Sequence, residues 1–477
     1  MIEVGVQSKH KKVVLVNFYD DPYLIRIAEK FDDIYETHNF SFFQNTAKRP
    51  ISILDLNVLI PSEISDYMQK ESLSISTTEM QNNFLREFVS TLDRVFMVKF
   101  SGREILAYYG QTLTIYEEYF DNFQINKIDS AIIFDSTPHM PWDIVLYALA
   151  KHRGITTIIP KTTNLAHTIQ FTHDIDDQLP ISFNSNEEFL RPVTLEMEEK
   201  FSPDLVHLQT RVKKLQTKPA WKHSLYRFFL ILKLLKIFAL NSREPSYFRM
   251  KKVPLIRIIL EFYRNTIKSR KTMIQRSVRN PNLDEPYVFF ALHAQPERTT
   301  DPEAGIYSNQ FIAIQKLRTL IPEKWKIYVK EHPVQYDIRY LHLKQLRFRN
   351  PEFYKNIEKI QNTQIVSDRM SSEILLQNAK AVATGTGSIA WEAILHGRQV
   401  ITFGNTWLTP HENCRSIHEN QINVVQVKQP NEINIDFMKD VSNTLVTACN
   451  SQYTLGEFEL SEKLVQNFIK ASISLLE

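Results

Sequence analysis

Residues 381–393 contain the clearest pattern for ligand chemistry, because an apolar run, a turn of small residues and a helical pattern follow one another directly. The turn consists of Thr384, Gly385, Thr386, Gly387 and Ser388. Free backbone N–H groups at a helix start, joined by these hydroxyls, form a site for phosphate. Glu392 follows in the helix, where its carboxylate could accept hydrogen bonds from ribose hydroxyls. The alternative is an ordinary tight turn with Ser388 as the helix N-cap.

Polar residues also follow three other apolar runs in this half of the chain. One segment contains Gln295 and Glu297, the second contains Lys330, His332 and Pro333, and the third is FGNTW at 403–407. In an open parallel sheet, ligands bind beyond the carboxyl ends of the strands, so these segments are expected to converge on the glycine turn. Lys330 and His332 would offer positive charge or N–H donors to a leaving phosphate, and Pro333 would fix their loop. Taken singly, a His-Pro pair usually only ends a strand, and Lys330 would be a solvated edge residue.

In the N-terminal half, a polar segment follows an apolar run at residues 131–134 and precedes a helical pattern. His139 and Asp143 are four residues apart in it. One could transfer a proton while the other orients it or acts as a carboxylate nucleophile. Glu297 is a further candidate catalytic group. The alternative makes Asp143 a first-turn helix residue and His139 a hydrogen-bonding loop residue.

Apolar strands that alternate with helices must position these groups. The pattern predicts strands at 12–18, 51–54, 94–98, 131–134 and 156–159, with a helix at 23–31. A second series predicts strands at 287–292, 326–330, 364–366, 381–383 and 399–403, with helices at 308–320, 371–377 and 389–396. A helical pattern at 459–476 ends the sequence. Apolar strands separated by helices indicate parallel sheets that are buried on both faces.

The predicted fold class is therefore α/β, with the GT-B architecture of two Rossmann-like domains facing a cleft, a basic helical insertion and a C-terminal helical return. The predicted divisions are an N-terminal Rossmann-like acceptor and catalytic domain at 1–165, a connector with basic amphipathic helices at 166–285, a nucleotide-sugar domain at 286–430 and C-terminal helices at 431–477. Fold alone does not fix function.

Composition narrows the class of protein. Hydrophobic residues make up 43% and charged residues 23% of the 477 residues, which excludes intrinsic disorder and a polytopic membrane protein. Two cysteines are too few for a disulfide framework, so a reducing compartment, the cytoplasm, is expected. The N-terminal residues lack the apolar stretch of a signal peptide, and no run of about 20 apolar residues suggests a spanning helix.

The net charge of +3 conceals an uneven distribution. Residues 211–280 carry 19 basic and 2 acidic side chains, a local net charge of +17. Within them, residues 221–240 form an amphipathic pattern, with lysines on one face and large apolar residues on the other. We expect residues 221–280 to contact an anionic membrane surface. The alternatives are a core helix with solvated lysines, or nucleic acid, which no zinc-finger, RNP or GxxG motif supports.

Four stretches resemble the capsule polysaccharide biosynthesis protein family, which includes bacterial transferases of Kdo. They are STPHMPWDIVLYALAKHRGI at 136–155, ALHAQPERTTDPEAGIYSNQ at 291–310, IYVKEHP at 327–333 and TGTGSIAWEAILHGRQVITFG at 384–404. The resemblance implies a GT-B fold, a CMP-activated acidic sugar as donor and a surface glycan as acceptor. It also implies that His332 lies near the donor phosphate, that the turn at 384–388 holds phosphate or a sugar carboxylate, and that Glu392 approaches the ribose.

The expected function is a glycosyltransferase that moves an acidic 2-keto-3-deoxy sugar, Kdo or a nonulosonate such as sialic, pseudaminic or legionaminic acid, from CMP to a capsule or lipopolysaccharide glycan. No metal or other cofactor is expected. The expected partners are the CMP-sugar donor, a glycan or glycolipid acceptor and the inner face of the bacterial cytoplasmic membrane, where the protein would be peripheral. The alternatives are a GT-B-type nucleotide-sugar epimerase and a non-enzymatic, membrane-docked capsule assembly or export factor.

Overall fold

The computed structural model divides the chain into two compact units. Unit 1 comprises Met1–Asp93, Lys99–Val193 and Met438–Glu477, and unit 2 comprises Arg94–Val98 and Thr194–Phe437. The structure describes residues 11–18, 22–40, 84–92, 94, 101–163, 165, 167–177, 179–190, 260, 263–336, 348–417, 441–448 and 458–476. The predicted strand at 51–54, most of the strand at 94–98 and the amphipathic stretch at 221–240 lie outside these residues.

Unit 1 is built on a six-stranded sheet with the strand order β12-β5-β4-β3-β1-β2. Its strands are β1 (Lys12–Val16), β2 (Glu36–Phe40), β3 (Ser130–Phe134), β4 (Thr156–Thr162), β5 (Thr168–Thr172) and β12 (Val446–Thr447). The first four are parallel, whereas β5 pairs antiparallel with β4, and β12 pairs antiparallel with β5. Its helices include α1 (Pro22–Asp32), α2 (Gly102–Asn122), α3 (Pro141–His152) and α9 (Phe458–Leu476).

The C-terminal helix α9 belongs to unit 1, which confirms the predicted helical return. Phe468 of α9 contacts Phe18 and Phe171 edge to face, with ring centroids 5.9 Å and 5.5 Å away. Leu464 and Val465 join the same buried cluster as the residues of β1 and α1. Burial of this apolar face holds the end of the chain against the first sheet.

Unit 2 contains a six-stranded, fully parallel sheet with the order β11-β10-β9-β6-β7-β8. Its strands are β6 (Tyr287–Ala291), β7 (Lys326–Lys330), β8 (Thr363–Ile365), β9 (Ala381–Thr384), β10 (Gln399–Thr402) and β11 (Cys414–Ser416). Its helices include α4 (Ser269–Arg276), α5 (Gln310–Leu320), α6 (Pro351–Ile357), α7 (Ser372–Asn378) and α8 (Ile389–Leu395). Because β6 lies between β7 and β9, the carboxyl ends of these three strands are adjacent.

These observations confirm the predicted fold class of two Rossmann-like α/β domains, as in GT-B proteins. The five strands predicted for the second series are present within one or two residues of their predicted bounds. The sequence patterns missed β2, β5, β11, β12, α2 and α6. Strand β5 lies in unit 1, beyond residue 165, because it continues the first sheet by antiparallel pairing with β4. None of the helices described is long and apolar enough to cross a membrane.

Candidate functional site

The side chain of His293, which follows β6, contacts the glycine turn at residues 384–388. The backbone N–H of Thr386 donates to Nε2 of His293 at 3.0 Å, and the Thr384 hydroxyl lies 3.1 Å from the same atom. Burial lowers the pKa of His293 to about 3, so the ring is neutral, and an accepting Nε2 places its proton on Nδ1. The buried imidazole therefore ties the end of β6 to the turn after β9.

His293 also explains why the turn contains glycine. A Cβ atom at Gly385 would lie 2.9 Å from Nε2 of His293, and one at Gly387 would lie 2.8 Å from Oγ1 of Thr384 and 3.2 Å from the His293 ring. Neither glycine has the left-handed conformation that would itself require this residue type. The two glycines thus make room for a buried side chain of the protein, a role that the sequence pattern did not reveal.

We expect Gly385→Ala to lower the free energy of unfolding by about 1–3 kcal/mol, the usual cost of overpacking a buried site. The added methyl group would push His293 away from the turn and weaken its bond to Thr386. Denaturant unfolding of the variant measures this cost. Gly102→Ala is the matched control, because a Cβ atom there meets nothing within 4 Å. Equal stability of the two variants would show that the turn does not rest on His293.

The second half of the turn carries hydrogen-bonding groups that have no partner in the described part of the chain. Ser388 occupies the N-cap position of α8, as the alternative predicted, but its hydroxyl makes no capping hydrogen bond. Within the described residues, the backbone N–H groups of Gly387 and Ser388 have no backbone acceptor. The hydroxyl of Thr386, in contrast, donates to the carbonyl of Thr299 at 2.5 Å. A ligand with acceptor oxygens can therefore bond to the second half of the turn.

Lys330 and Glu392 form the charged part of the site. Lys330 is buried at the end of β7, and its Nζ donates to the Ser372 hydroxyl at 2.8 Å. Burial lowers the pKa of Lys330 to about 8, and the nearby charges of Asp368, Glu331 and Glu392 oppose this shift. Burial likewise raises the pKa of Glu392 to about 7, helped by Glu373 and opposed by Lys330. Each group thus senses the other's charge in a poorly solvated place.

His332 follows Lys330 and has one ring nitrogen directed to the backbone. Its Nδ1 accepts from the Val334 N–H at 3.3 Å. Burial lowers the pKa of His332 to about 4, so the ring is neutral at pH 7 and carries its proton on Nε2. The N–H of His332 itself donates to Glu331 at 2.9 Å. Pro333 comes next, before a turn in which Gln335 N–H bonds to the His332 carbonyl. His332 can therefore donate a neutral N–H bond.

The sequence patterns did not predict a buried ion pair next to this loop, between Arg349 and Glu331. Arg349 and Glu331, with side chains 1% and 2% exposed, are joined by two bonds of 2.8 Å and 3.2 Å. Arg349 also donates to the Gln295 side chain at 2.7 Å and to the His293 carbonyl at 2.9 Å. Tyr354 donates to Glu331 at 2.5 Å. Arg349 thus fixes the residues after β6 against those after β7.

Gln295 and Glu297 occupy different environments, although they are two residues apart. Gln295 is buried and belongs to the Arg349 network, and its Nε2 donates to the Ser308 carbonyl at 2.8 Å. Glu297 lies near Thr299 and its side chain reaches solvent, but partial desolvation by the surrounding protein raises the pKa of its carboxyl to about 7. A carboxyl group with such a pKa can exchange protons near neutral pH. Of the two, Glu297 has the properties of an acid or base.

His139 and Asp143 lie together in unit 1, at the start of α3. Asp143 is 1% exposed, and its carboxylate accepts from the N–H groups of Met140 and His139 at 3.1 Å and 3.4 Å. Asn17, after β1, donates to the same carboxylate at 3.1 Å. Nδ1 of His139 lies 2.9 Å from the Thr137 carbonyl and 3.9 Å from Asp143. Asp143 therefore stabilises the helix start, as its structural alternative predicted, and its catalytic role stays a prediction.

Among the described residues, no group of three or more His, Cys, Asp or Glu side chains is arranged to hold a metal ion. The candidate site in unit 2 contains the buried ammonium group of Lys330, the neutral imidazole of His332 and backbone N–H groups without a backbone acceptor. It also contains two carboxyl groups with raised pKa values, those of Glu297 and Glu392. Such a set suits an anionic ligand that also carries hydroxyl groups.

Comparison with solved structures found matches at low similarity. The Thermosulfurimonas dismutans KpsC, a beta Kdo 2,7 transferase, has 10% identity and a TM-score of 0.32, over 97% of this chain and 100% of that chain. The UDP-GlcNAc 2-epimerase from Methanocaldococcus jannaschii has 11% identity and a TM-score of 0.22, over 97% and 99% of the two chains. Similarity at this level carries no information about the substrate of this chain.

Sequence comparison gives a narrower result. The search of curated proteins found no match. The family model described as capsule polysaccharide biosynthesis protein matches residues 308–411, which include Lys330, His332, the glycine turn and Glu392. The predicted resemblance is therefore confirmed, and through residues 308–411 this chain is similar to the capsule polysaccharide biosynthesis protein family.

Proposed function

We propose that this protein is a glycosyltransferase that moves an acidic 2-keto-3-deoxy sugar, Kdo or a nonulosonate, from its CMP conjugate to a bacterial capsule or lipopolysaccharide glycan. The observation that carries the proposal is the meeting of three adjacent strand ends in unit 2. They bring His293, Lys330 and the turn at 384–388 to one edge of the parallel sheet. This edge is where α/β sheets bind nucleotides.

In the proposed reaction, the bond between the anomeric carbon and the phosphate oxygen breaks, and CMP leaves with both bonding electrons. The Lys330 ammonium, the Nε2–H of His332 and the free N–H groups of Gly387 and Ser388 would stabilise the developing negative charge. The acceptor hydroxyl forms the new bond to the anomeric carbon and loses its proton to a base. Glu297 suits this role because its pKa is about 7, and His139 and Asp143 stay the alternatives from unit 1.

Glu392 is proposed to accept hydrogen bonds from the ribose hydroxyls. We expect CMP to raise the melting temperature more than UDP, GDP or CDP at equal concentration, because only the bound ligand stabilises the folded state. Glu392→Ala should reduce this shift. Glu352→Ala is the control, because it removes a carboxylate of the same unit that is exposed to solvent and has no proposed contact with the ligand. Equal CMP shifts in wild type and Glu392→Ala would remove Glu392 from the site.

The CMP shift should also depend on pH in a predictable way. Burial raises the pKa of Glu392 to about 7 and lowers that of Lys330 to about 8. Ionised Glu392 is the better acceptor, and charged Lys330 is the better phosphate ligand. The shift should therefore grow as pH rises through about 7 and fall above about 8. Glu392→Gln should abolish the rise but keep the fall, and an unchanged profile would contradict the assignment.

Product analysis distinguishes this proposal from the epimerase. Incubation with a CMP-sugar should release CMP only when a glycan acceptor is present, and the acceptor should gain the mass of one sugar. An epimerase would change the sugar nucleotide without an acceptor. Failure to bind any nucleotide would instead support a non-enzymatic assembly or export factor.

The proposed place of this reaction is the inner face of the cytoplasmic membrane, where a glycolipid acceptor would be present. The net charge of +17 over residues 211–280 supports peripheral contact with anionic lipid. The proposed transfer requires no metal, because CMP leaves with a single phosphate whose charge the protein groups can balance.

A further inference from the structure

A short helical segment in unit 2 presents an unusual outer face. A π-helical turn at Tyr263–Lys268 continues directly into α4 at Ser269–Arg276. Its inner face is formed by Thr266, Ser269 and Met273, which are buried. The Ser269 hydroxyl lies 2.7 Å from the Tyr336 hydroxyl, and Met273 belongs to the core cluster that contains β6 and β7. The segment is therefore firmly attached to the domain, and its outer face has a fixed orientation.

The outer face exposes large apolar side chains. Tyr263, Ile267 and Ile274 are 56%, 47% and 47% exposed, and nearby Leu260 is 59% exposed. These four residues account for more than a third of the eleven large apolar side chains that are exposed in the described part of the chain. Single exposed apolar residues are normal, whereas a group on one helical face marks an interaction site. The spacings of four and seven residues place the side chains of Tyr263, Ile267 and Ile274 on one side of the segment.

Basic residues are interspersed with these apolar residues along the segment. Residues 263–276 contain five basic side chains and no acidic one: Arg264, Lys268, Arg270, Lys271 and Arg276. Arg276 bonds to Glu358, and Arg270 lies 3.9 Å from Asp368. Arg264, Lys268 and Lys271 are exposed and form no ion pair in the described residues. The remaining positive charge favours an anionic partner over an ordinary apolar protein surface.

We propose that Tyr263, Arg264, Ile267, Lys268, Lys271 and Ile274 form a docking face for an anionic lipid bilayer. The apolar side chains enter the interface between headgroups and acyl chains, and the three basic side chains contact lipid phosphates or carboxylates. This geometry is that of an amphipathic helix lying in the membrane plane. The inference deepens the proposed peripheral membrane contact and rests on it, but it does not depend on the donor sugar.

A fluorescent probe tests direct contact. The variant Ile267→Cys is labelled with an environment-sensitive dye. It also carries Cys449→Ser, and the remaining cysteine, Cys414, is buried. Vesicles of phosphatidylcholine with 30% phosphatidylserine, roughly the anionic content of a charged leaflet, should raise the emission and shift it to the blue. Ile128→Cys is the control, because Ile128 is 86% exposed in unit 1, outside the docking face. Equal responses at both positions, or none at position 267, would overturn the proposal.

Vesicle sedimentation of the full chain tests the energy of docking. Replacing Tyr263 by Ser and both Ile267 and Ile274 by Asn should lower the partition coefficient at least about tenfold, because insertion of apolar side chains is lost. Ile128→Asn with Ile312→Asn is the matched control, since both residues are exposed and lie elsewhere. Lys268→Glu with Lys271→Glu should weaken binding most at low salt, because exposed charges are screened as salt rises.

Folding and donor binding are monitored separately. Each variant should keep its melting temperature and the CMP shift, because its changed side chains are exposed and lie outside the proposed donor site. Undiminished sedimentation of the apolar variant would place membrane binding elsewhere and overturn the docking face. A change in oligomeric state without a change in vesicle binding would show that a second copy covers the face, which also overturns the proposal. Loss of the CMP response in wild type would contradict the glycosyltransferase alone.

Discussion

Replacing Arg349 by methionine will lower the free energy of unfolding by about 3–5 kcal/mol, the usual cost of leaving a buried charge without its partner. The Glu331 carboxylate would keep Tyr354 and the His332 N–H as donors but would lose both guanidinium bonds. The His293 carbonyl and the Gln295 side chain would lose a donor as well. Urea unfolding, followed by circular dichroism, measures the change.

The double variant Arg349→Met with Glu331→Gln provides the control. It removes the charge of the carboxylate as well as that of the guanidinium, so at least half of the lost stability should return. Lys355→Met tests the specificity of the effect, because Lys355 pairs with Glu352 at the surface and should change stability by less than about 1 kcal/mol. If Arg349→Met is no more destabilising than Lys355→Met, the buried ion pair does not hold the site together.

Replacing His332 by alanine will lower kcat by about 10²–10³, the effect of removing one hydrogen-bond donor to a developing negative charge. The neutral ring offers Nε2–H to the leaving phosphate, and this bond is strongest in the transition state. Among the described residues, the folded state loses the one side-chain bond of His332, from Val334 N–H to Nδ1, which should cost about 1 kcal/mol. Steady-state kinetics with saturating donor and acceptor, together with thermal unfolding, separate the two effects.

His332→Gln should recover part of the activity, because its side-chain amide can also donate an N–H bond at a similar reach. His152→Ala is the matched control, since His152 is exposed at the end of α3 and should leave kcat unchanged. A loss of folded protein in His332→Ala, with normal turnover of the folded fraction, would favour the alternative in which the His-Pro pair only ends the strand. Full activity of folded His332→Ala would exclude a role in transfer.

The elements that position the site could be predicted because their patterns are local. Strands β1 and β6, with the sequences KVVLV and YVFFA, contain four and five consecutive apolar residues and were recognised from them. Strand β2, ETHNF, escaped because only its last residue is apolar, so neither alternation nor an apolar run marks it. His38 and Asn39 of this strand are nevertheless buried, and His38 lies 2.9 Å from the hydroxyl of Tyr119, a partner distant in the sequence.

The site residues divide in the same way. By itself, the sequence determined which residues of unit 2 are candidates for the site, because each follows an apolar run or lies near the start of a helix. They are Gln295, Lys330, His332, the turn at 384–388 and Glu392. Only the tertiary structure decided what each group contacts. The bond from Thr386 to His293 spans 93 residues, and that from Arg349 to the His293 carbonyl spans 56. No local pattern encodes such partners, because they meet only when parallel strands distant in sequence become neighbours in the sheet.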